Sequence, residues 1–276
     1  MKLLLTSGGV TNPSIHSALV QLLGKPIAEC HALVVPTAQW GHPMCGPASV
    51  RGLVAAEPTW RHFSGLGWAS LGVLELTALP TIGPERWVPW VREADVLLVD
   101  GGDATYLCHW MRESGLADLL PSLPDMVWVG VSAGSMVMTP RIGASFVKWP
   151  SAPDDRTLGI VDFSIFPHLD NPDLPSNTMA TAEAWAAGLS CPAYAIDDET
   201  ASKWSTVPSR SSPRGTGNCS RPRTETWARL LTPEAAGRRR AGALRGKARL
   251  QGRDDPRPCR GAFHRRRRQR RGRPGA

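Results

Sequence analysis

The chain has 276 residues, of which 42% are hydrophobic and 20% charged, and its net charge is +8. This composition is typical of a soluble globular protein. The net charge averages two unlike parts. Residues 1–200 carry 10 Lys and Arg against 20 Asp and Glu, whereas residues 201–276 carry 22 against 4. A change of sign this abrupt predicts a boundary near residue 200.

Three sequence features exclude a secretory signal, a membrane span and a zinc site. The opening apolar run stops at Thr6, whereas a secretory core needs about 7–15 apolar residues. No run approaches the roughly 20 apolar residues of a spanning helix. The six cysteines form no C-x-x-C pair, and no histidine cluster has zinc-ligand spacing. We therefore expect a cytoplasmic protein with reduced thiols, no metal, no cofactor and no membrane partner.

Short apolar runs alternate with helix-like segments through residue 200, as in an α/β fold. The predicted strands are Leu3–Leu5, Ala32–Val35, Gly72–Leu76, Val96–Val99, Val127–Val131, Phe163–Phe166 and Ala193–Ile196. The predicted helices are Pro13–Leu23, Glu85–Arg92, Thr105–Leu120 and Asn177–Ala187. Several strands are apolar on both faces. This pattern predicts three layers, with helices on both faces of a mostly parallel sheet.

The strongest chemical signal is the apolar strand 127–131, which runs into Gly130-Val131-Ser132-Ala133-Gly134. A Gly-x-Ser-x-Gly sequence after a strand is typical of a nucleophile elbow, in which small residues allow a sharp turn that exposes the serine hydroxyl. The alternative is an ordinary glycine-rich strand-to-helix turn. The preceding strand favours Ser132 as a nucleophile.

A serine nucleophile needs a base, and His168 is the best candidate because it closes the strand-like run 163–167. The ends of parallel strands meet at one edge of a sheet, where Ser132 is also expected. The alternative is a structural histidine.

A glycine turn, Asp100-Gly101-Gly102-Asp103, follows the strand 96–99 and precedes a helix. Its backbone amides could bind a developing oxyanion together with the amide that follows the nucleophile. A phosphate cradle is the alternative, but Gly-Gly-Asp lacks the spacing of dinucleotide-binding or Walker loops.

The Gly-Gly-Asp turn, the Gly-x-Ser-Ala-Gly elbow and the Phe-Pro-His strand end follow one another in this chain order within residues 1–200, and together they resemble the dipeptidase E and cyanophycinase family. The resemblance implies a class I glutamine amidotransferase-like architecture and a serine peptidase acting on small peptides, with α-aspartyl dipeptides as the best-known substrates. It implies that Ser132 is the nucleophile, His168 the base, and the Gly102 and Ala133 amides the oxyanion hole. Amidotransferases of this superfamily carry a cysteine at the elbow, so Ser132 favours the peptidase branch.

The same resemblance implies a triad acid between the nucleophile and the histidine. Residues 141–149 contain no carboxylate, and the next candidates are Asp154 and Asp155, of which Asp154 is taken as the acid. The alternative is that both lie in a solvated turn. Loss of the acid would cost up to about 10⁴ in turnover, which leaves open a non-catalytic binding protein.

Residues 201–276 are rich in Arg, Pro and Gly, a composition that predicts disorder. An arginine-rich tail can bind nucleic acid, although this one has almost no interleaved aromatic residues. A shifted reading frame is a second hypothesis. Back-translation of residues 203–218 with GC-rich codons and one guanine restored after the Lys203 codon gives K-V-V-D-G-T-V-E-V-V-S-E-G-H-W-E. That sequence predicts two strands joined by an Asp-Gly hairpin turn.

Overall fold

The computed structural model describes residues 1–54, 61–205, 225–226 and 229–231. The chain divides into two units, 1–238 and 239–276, and the second lies outside the described residues. The predicted disorder, the nucleic-acid hypothesis and most of the frame hypothesis concern residues outside the described part.

Ten strands fall within the described residues. They are β1 Lys2–Thr6, β2 His31–Val35, β3 Ser70–Val73, β4 Val96–Val99, β5 Val127–Val131, β6 Ser164–Phe166, β7 Ala193–Ala195, β8 Ala201–Ser205, β9 Glu225–Thr226 and β10 Arg229–Leu231. The central sheet has the order β3-β2-β4-β5-β1-β8-β9. Strands β3, β2, β4, β5 and β1 pair in parallel, whereas β8 is antiparallel to β1 and β9 to β8. The mostly parallel sheet predicted from the sequence is confirmed.

Helices cover both faces of this sheet. They are α1 Pro13–Leu23, α2 Pro47–Val54, α3 Arg61–Ser64, α4 Pro84–Glu93, α5 Ala104–Glu113, α6 Leu116–Leu119, α7 Ala133–Met136 and α8 Met179–Ala187. Buried side chains of α1 to α3 share one core with one face of the strands, and those of α4 to α7 share the core of the opposite face. In β1, Leu4 belongs to the first core, whereas Leu3 and Leu5 belong to the second. This two-sided burial explains the continuous apolar runs of the sequence.

Local sequence explains where the helices begin and end. The Asn12 side chain accepts the Ile15 amide at the start of α1, and Gly24 ends the helix with a left-handed φ of 73°. The predicted helix 105–120 is in fact two helices, α5 and α6. The break lies at Gly115, whose φ of 80° is left-handed and ends the α5 hydrogen-bonding pattern.

The predicted boundary at residue 200 lies just before β8, and Ala201–Ser205 belong to the central sheet. All five residues pair with β1, from Lys2 opposite Ser205 to Thr6 opposite Ala201. The chain therefore extends the sheet by at least one strand beyond the charge boundary.

A second sheet with the order β10-β7-β6 lies beside α8. Phe166 of β6 packs edge-to-face on Phe146 and Trp185, with ring centroids 5.3 Å and 5.5 Å apart. This small core anchors the loops that follow β6 and β7. Those loops carry His168 and Asp198. No helix of the described residues is long and apolar enough to cross a membrane.

Candidate active site

Ser132 occupies a strained turn between β5 and α7. Its backbone has φ 49° and ψ −108°, a conformation that costs a non-glycine residue free energy and that the surrounding structure must hold. The glycines on either side are required by close packing. A Cβ on Gly130 would lie 2.4 Å from the Gly134 carbonyl oxygen, and one on Gly134 would lie 2.1 Å from the Val99 carbonyl oxygen. The turn has the geometry of a nucleophile elbow.

Hydrogen bonds fix this turn to the neighbouring strand. The Ser132 amide donates to the Thr6 carbonyl at 3.1 Å. The Ser135 hydroxyl, fully buried, lies 2.8 Å from the carbonyl oxygens of both Thr6 and Gly130. The elbow is therefore held at the carboxyl edge of the sheet, with the Ser132 side chain half-buried.

His168 lies next to Ser132, as the sequence predicted. Its Nε2 is 2.9 Å from Ser132 Oγ, within the range of a nucleophile–base hydrogen bond. His168 also has a left-handed backbone, with φ 57°. Among the described residues the non-glycine positions with positive φ are Ser132, His168 and Asp170, so backbone strain is concentrated at this site.

The carboxylate that contacts His168 belongs to Asp198, in the loop after β7. Its Oδ1 is 2.7 Å from His168 Nδ1. The same oxygen accepts the Ser7 hydroxyl at 2.6 Å, and Oδ2 accepts the Asn171 amide at 2.5 Å. The three side chains Ser132, His168 and Asp198 therefore form one continuous hydrogen-bonded chain.

The environment of Asp198 favours its ionised form. Burial raises the pKa of this carboxyl group, but hydrogen bonds from His168, Ser7 and Asn171 outweigh burial and lower the pKa to about 2. Asp198 is therefore an anion at neutral pH. An anion at this position orients the imidazole with Nδ1 protonated and Nε2 free to accept a proton.

The prediction that Asp154 supplies the acid requires correction. Asp154 accepts the Arg156 amide at 2.8 Å and its Nε at 2.7 Å. Asp155 accepts Arg141 Nε at 3.0 Å and the Gly143 amide at 3.0 Å. Among the described residues, Asp155 closes the loop that follows α7, Asp154 bonds only to Arg156 two residues further along, and the structure places neither on His168.

Asp198 was missed because the resemblance directed attention to the segment before His168. A signal was nonetheless present. Asp197, Asp198 and Glu199 follow an apolar strand, as Ser132 and His168 do. Residues that follow the carboxyl ends of neighbouring parallel strands are expected to lie together in the site. Ser7, directly after β1, fits the same rule.

The glycine turn after β4 lies beside the nucleophile. A Cβ on Gly101 would be 3.5 Å from Ser132 Cβ. Gly102 has φ 134°, and a Cβ there would lie 2.1 Å from the Ala38 carbonyl oxygen. Among the described residues, neither the Gly102 nor the Ala133 amide donates to a protein acceptor. Both amides remain available for a substrate oxygen.

Asp103 holds this turn from the other side. Its Oδ1 caps α5 by accepting the Tyr106 amide at 2.8 Å, and its Oδ2 accepts the amides of Lys148 and Trp149 at 2.6 Å and 2.8 Å. The side chain is fully buried, with these donors arranged around it. The Gly102 position is thus fixed between the short 3₁₀ helix Thr37–Gly41 and the segment 148–149.

Asp100 is a second buried carboxyl group in this turn. Its Oδ2 accepts the Gln39 side-chain amide. Burial raises the pKa of Asp100 to about 6, against opposing hydrogen bonds from Gln39 and the Gly101 amide. Asp100 therefore changes charge within an accessible pH range.

The described residues contain no group of three or more His, Cys, Asp or Glu side chains that could hold a metal ion. A serine on a strained strand-to-helix turn, an imidazole and a half-buried anion, together with two unpaired amides, are the features of a serine hydrolase on an α/β sheet.

Comparison with known proteins agrees with this class. The chain belongs to peptidase family S51, whose family model matches residues 3–205. It is therefore a serine-type peptidase. A search of curated proteins finds no match.

Two solved structures share the fold. One is a protein from Listeria monocytogenes EGD-e assigned as a peptidase E, with a TM-score of 0.53 and 18% identity over 82% of this chain and 98% of that one. The other is a peptidase from an acI-B1 Actinobacterium, with a TM-score of 0.55 and 19% identity over 73% of this chain and 82% of that one.

Proposed function

We propose that the protein hydrolyses small peptides through an acyl-enzyme formed on Ser132. The observation that carries this proposal is the hydrogen-bonded chain from Ser132 Oγ through His168 to Asp198, with distances of 2.9 Å and 2.7 Å. His168 Nε2 takes the hydroxyl proton as Oγ attacks the scissile carbonyl carbon. The same nitrogen then returns the proton to the leaving amine. A water molecule, which gives its proton to His168, then attacks the acyl-enzyme. This second step releases the carboxylic acid product and restores Ser132.

Asp198 orients the base and stabilises the imidazolium that forms. Its oxygens are already bonded to Ser7 and Asn171, so the carboxylate is preorganised and need not rotate during the reaction. Replacing such an acid typically lowers turnover by about 10⁴ in a serine protease.

The Gly102 and Ala133 amides are proposed as the oxyanion hole. Ala133 directly follows the nucleophile, and the Gly101–Gly102 turn lies against Ser132. Amides that are fixed before the reaction stabilise developing negative charge without reorganisation, and one such donor is typically worth about 10² to 10³ in turnover. The tight packing of Gly102 against Ala38 supports its role as a fixed donor.

The substrates proposed are α-aspartyl dipeptides, as the family resemblance implies. The aspartyl preference is tested with a set of substrates that carry the same leaving group and differ only in the residue before it, which is aspartyl, alanyl or lysyl. We expect the highest kcat/KM for the aspartyl compound. Equal kcat/KM values across the set would contradict the aspartyl preference and leave the peptidase chemistry unaffected.

The non-catalytic alternative was based on a missing acid. The Asp198 carboxylate, 2.7 Å from His168, supports the catalytic proposal over this alternative. The nucleic-acid alternative rests on residues outside the described part of the chain.

A fluorophosphonate probe, which reacts with activated serines, tests the proposed chemistry. The wild-type protein should be labelled and Ser132→Ala should not. The matched control is Ser202→Ala, because Ser202 is 3% exposed and its hydroxyl makes no hydrogen bond in the described structure. Equal labelling of wild type and Ser132→Ala would contradict the proposal.

A further inference from the structure

Ser7 is the first residue after β1 and lies beneath the catalytic groups. It is fully buried. Its neighbour Thr6 accepts the Ser132 amide through its carbonyl oxygen. The carboxyl end of β1 therefore lies next to both the nucleophile and the loops that carry His168 and Asp198.

The Ser7 hydroxyl connects the base to the acid. Ser7 Oγ accepts the His168 backbone amide at 2.7 Å and lies 2.6 Å from Asp198 Oδ1. A backbone amide can only donate, so Oγ is the acceptor in the first bond. Because Asp198 is ionised and can only accept, the single hydroxyl proton goes to the carboxylate. The direction of both bonds follows without assigning a tautomer to the imidazole.

The backbone of His168 needs such a support. Its φ of 57° is left-handed, and a non-glycine residue keeps that conformation only where its surroundings hold it. The amide of this residue is bonded to Ser7 Oγ. Loss of that bond would leave the strained His168 backbone without the acceptor that holds its amide.

The segment that follows Ser7 also contacts the loop after β7, which carries Asp198. A Cβ on Gly8 would lie 2.9 Å from the Asp198 carbonyl oxygen, so the two backbones are closely packed. Thr11 Oγ1 donates to the Asp198 carbonyl at 2.8 Å, and Asn12 Nδ2 donates to the Glu199 carbonyl at 2.8 Å. The Ser7 bond is therefore made between two segments that are already fixed relative to each other.

We infer that Ser7 is a positioning residue of the peptidase, which locks the Asp198 carboxylate and the His168 backbone into one geometry. This inference rests on the proposed function of Ser132. The Ser7 side chain is fully buried beneath these two residues. It acts through the two residues that activate the nucleophile, and it therefore changes turnover rather than substrate binding.

The experiment is a kinetic cycle on the full chain with Ser7→Ala, Asp198→Asn and the double variant. Ser7→Ala removes a hydrogen bond to an ionised carboxylate, and such bonds are stronger than those between neutral groups. We therefore expect kcat to fall by about 10- to 100-fold in Ser7→Ala, with KM unchanged. In the Asp198→Asn background, Ser7→Ala should cost less than about 3-fold further, because groups that act as one unit are not additive.

The control is Ser202→Ala, which deletes a buried hydroxyl on the strand paired with β1, opposite Leu5. It should keep wild-type kcat. Unchanged kcat in a folded Ser7→Ala protein would overturn the inference, and so would a full additional loss in the double variant. Either result is distinct from failure of the proposed function, in which wild-type protein would itself show no Ser132-dependent labelling.

Discussion

Asp198 Oδ1 lies 2.7 Å from His168 Nδ1, although the two residues are 30 positions apart in the chain. One follows β6 and the other follows β7, which pair in parallel. Parallel pairing brings the two carboxyl ends together, and the Leu169 amide bonded to the Ile196 carbonyl at 3.0 Å joins the loops beyond them. The acid thus reaches the base through sheet topology rather than sequence proximity.

Asp198→Asn should lower kcat for peptide hydrolysis by about 10³ to 10⁴, because the amide no longer supplies an anion to orient the imidazole. The comparison is Asp154→Asn, whose carboxylate is occupied by Arg156. That variant should keep kcat within about 2-fold. Steady-state kinetics of both folded proteins decide the matter. A large loss in Asp154→Asn with none in Asp198→Asn would return the acid to the position first predicted.

The two glycines of the turn after β4 should respond differently to alanine. Gly102→Ala should destabilise the protein by more than about 2 kcal/mol, because its left-handed φ and the 2.1 Å approach to Ala38 leave no room for a Cβ. Gly101→Ala should cost less than about 1 kcal/mol, since its Cβ would make an ordinary contact at 3.5 Å with Ser132. Urea unfolding measures both. Equal costs would contradict the packing described for this turn.

Asp100 should make stability depend on pH. Its pKa of about 6 in the folded chain exceeds the ordinary value of 3.8. Between these values the folded chain holds a proton that the unfolded chain releases, so this group lowers stability as the pH rises from about 4 to 6. Asp198, with its pKa lowered to about 2, acts in the opposite sense and loses its contribution as the pH falls below 4.

The measurement is the unfolding free energy of wild type and Asp100→Asn across pH 4 to 7. Asparagine keeps an acceptor for Gln39 and does not titrate. The stability of the variant relative to wild type should therefore increase with pH through this window and level off above it. A constant difference would show that Asp100 does not titrate there.

The sequence predicted the site best where a motif and a strand end coincide. Ser132 and His168 were found because each closes an apolar run, and helix α1 was predicted with its observed bounds because Asn12, Pro13 and Gly24 specify them locally. Helix α2 was missed because its span, Pro47–Val54, includes Gly52 and lies in a segment rich in Gly and Pro. Asp198 also follows an apolar run, but its contact with His168 depends on which strands are neighbours in the sheet, and the sequence alone does not choose it over Asp197 or Glu199.

A frame-restored chain should be more stable than this one. The family match ends at residue 205, which is also the last residue of β8. The outer side of β8 pairs with β9 at Ser202 and Lys203. A continuous hairpin after Lys203 would extend β8 and protect its edge. The midpoint of thermal unfolding should therefore rise, and equal midpoints for the two chains would contradict the frame hypothesis.

The most direct test of the central claim is to identify the residue that a fluorophosphonate modifies. The protein is labelled, digested and analysed by tandem mass spectrometry, with His168→Ala as a second sample. We predict one adduct, on Ser132, formed at least about 10³-fold more slowly in His168→Ala because the nucleophile then lacks its base. An adduct on another serine, or equal labelling rates in the two proteins, would contradict the assignment of Ser132 and His168 as nucleophile and base.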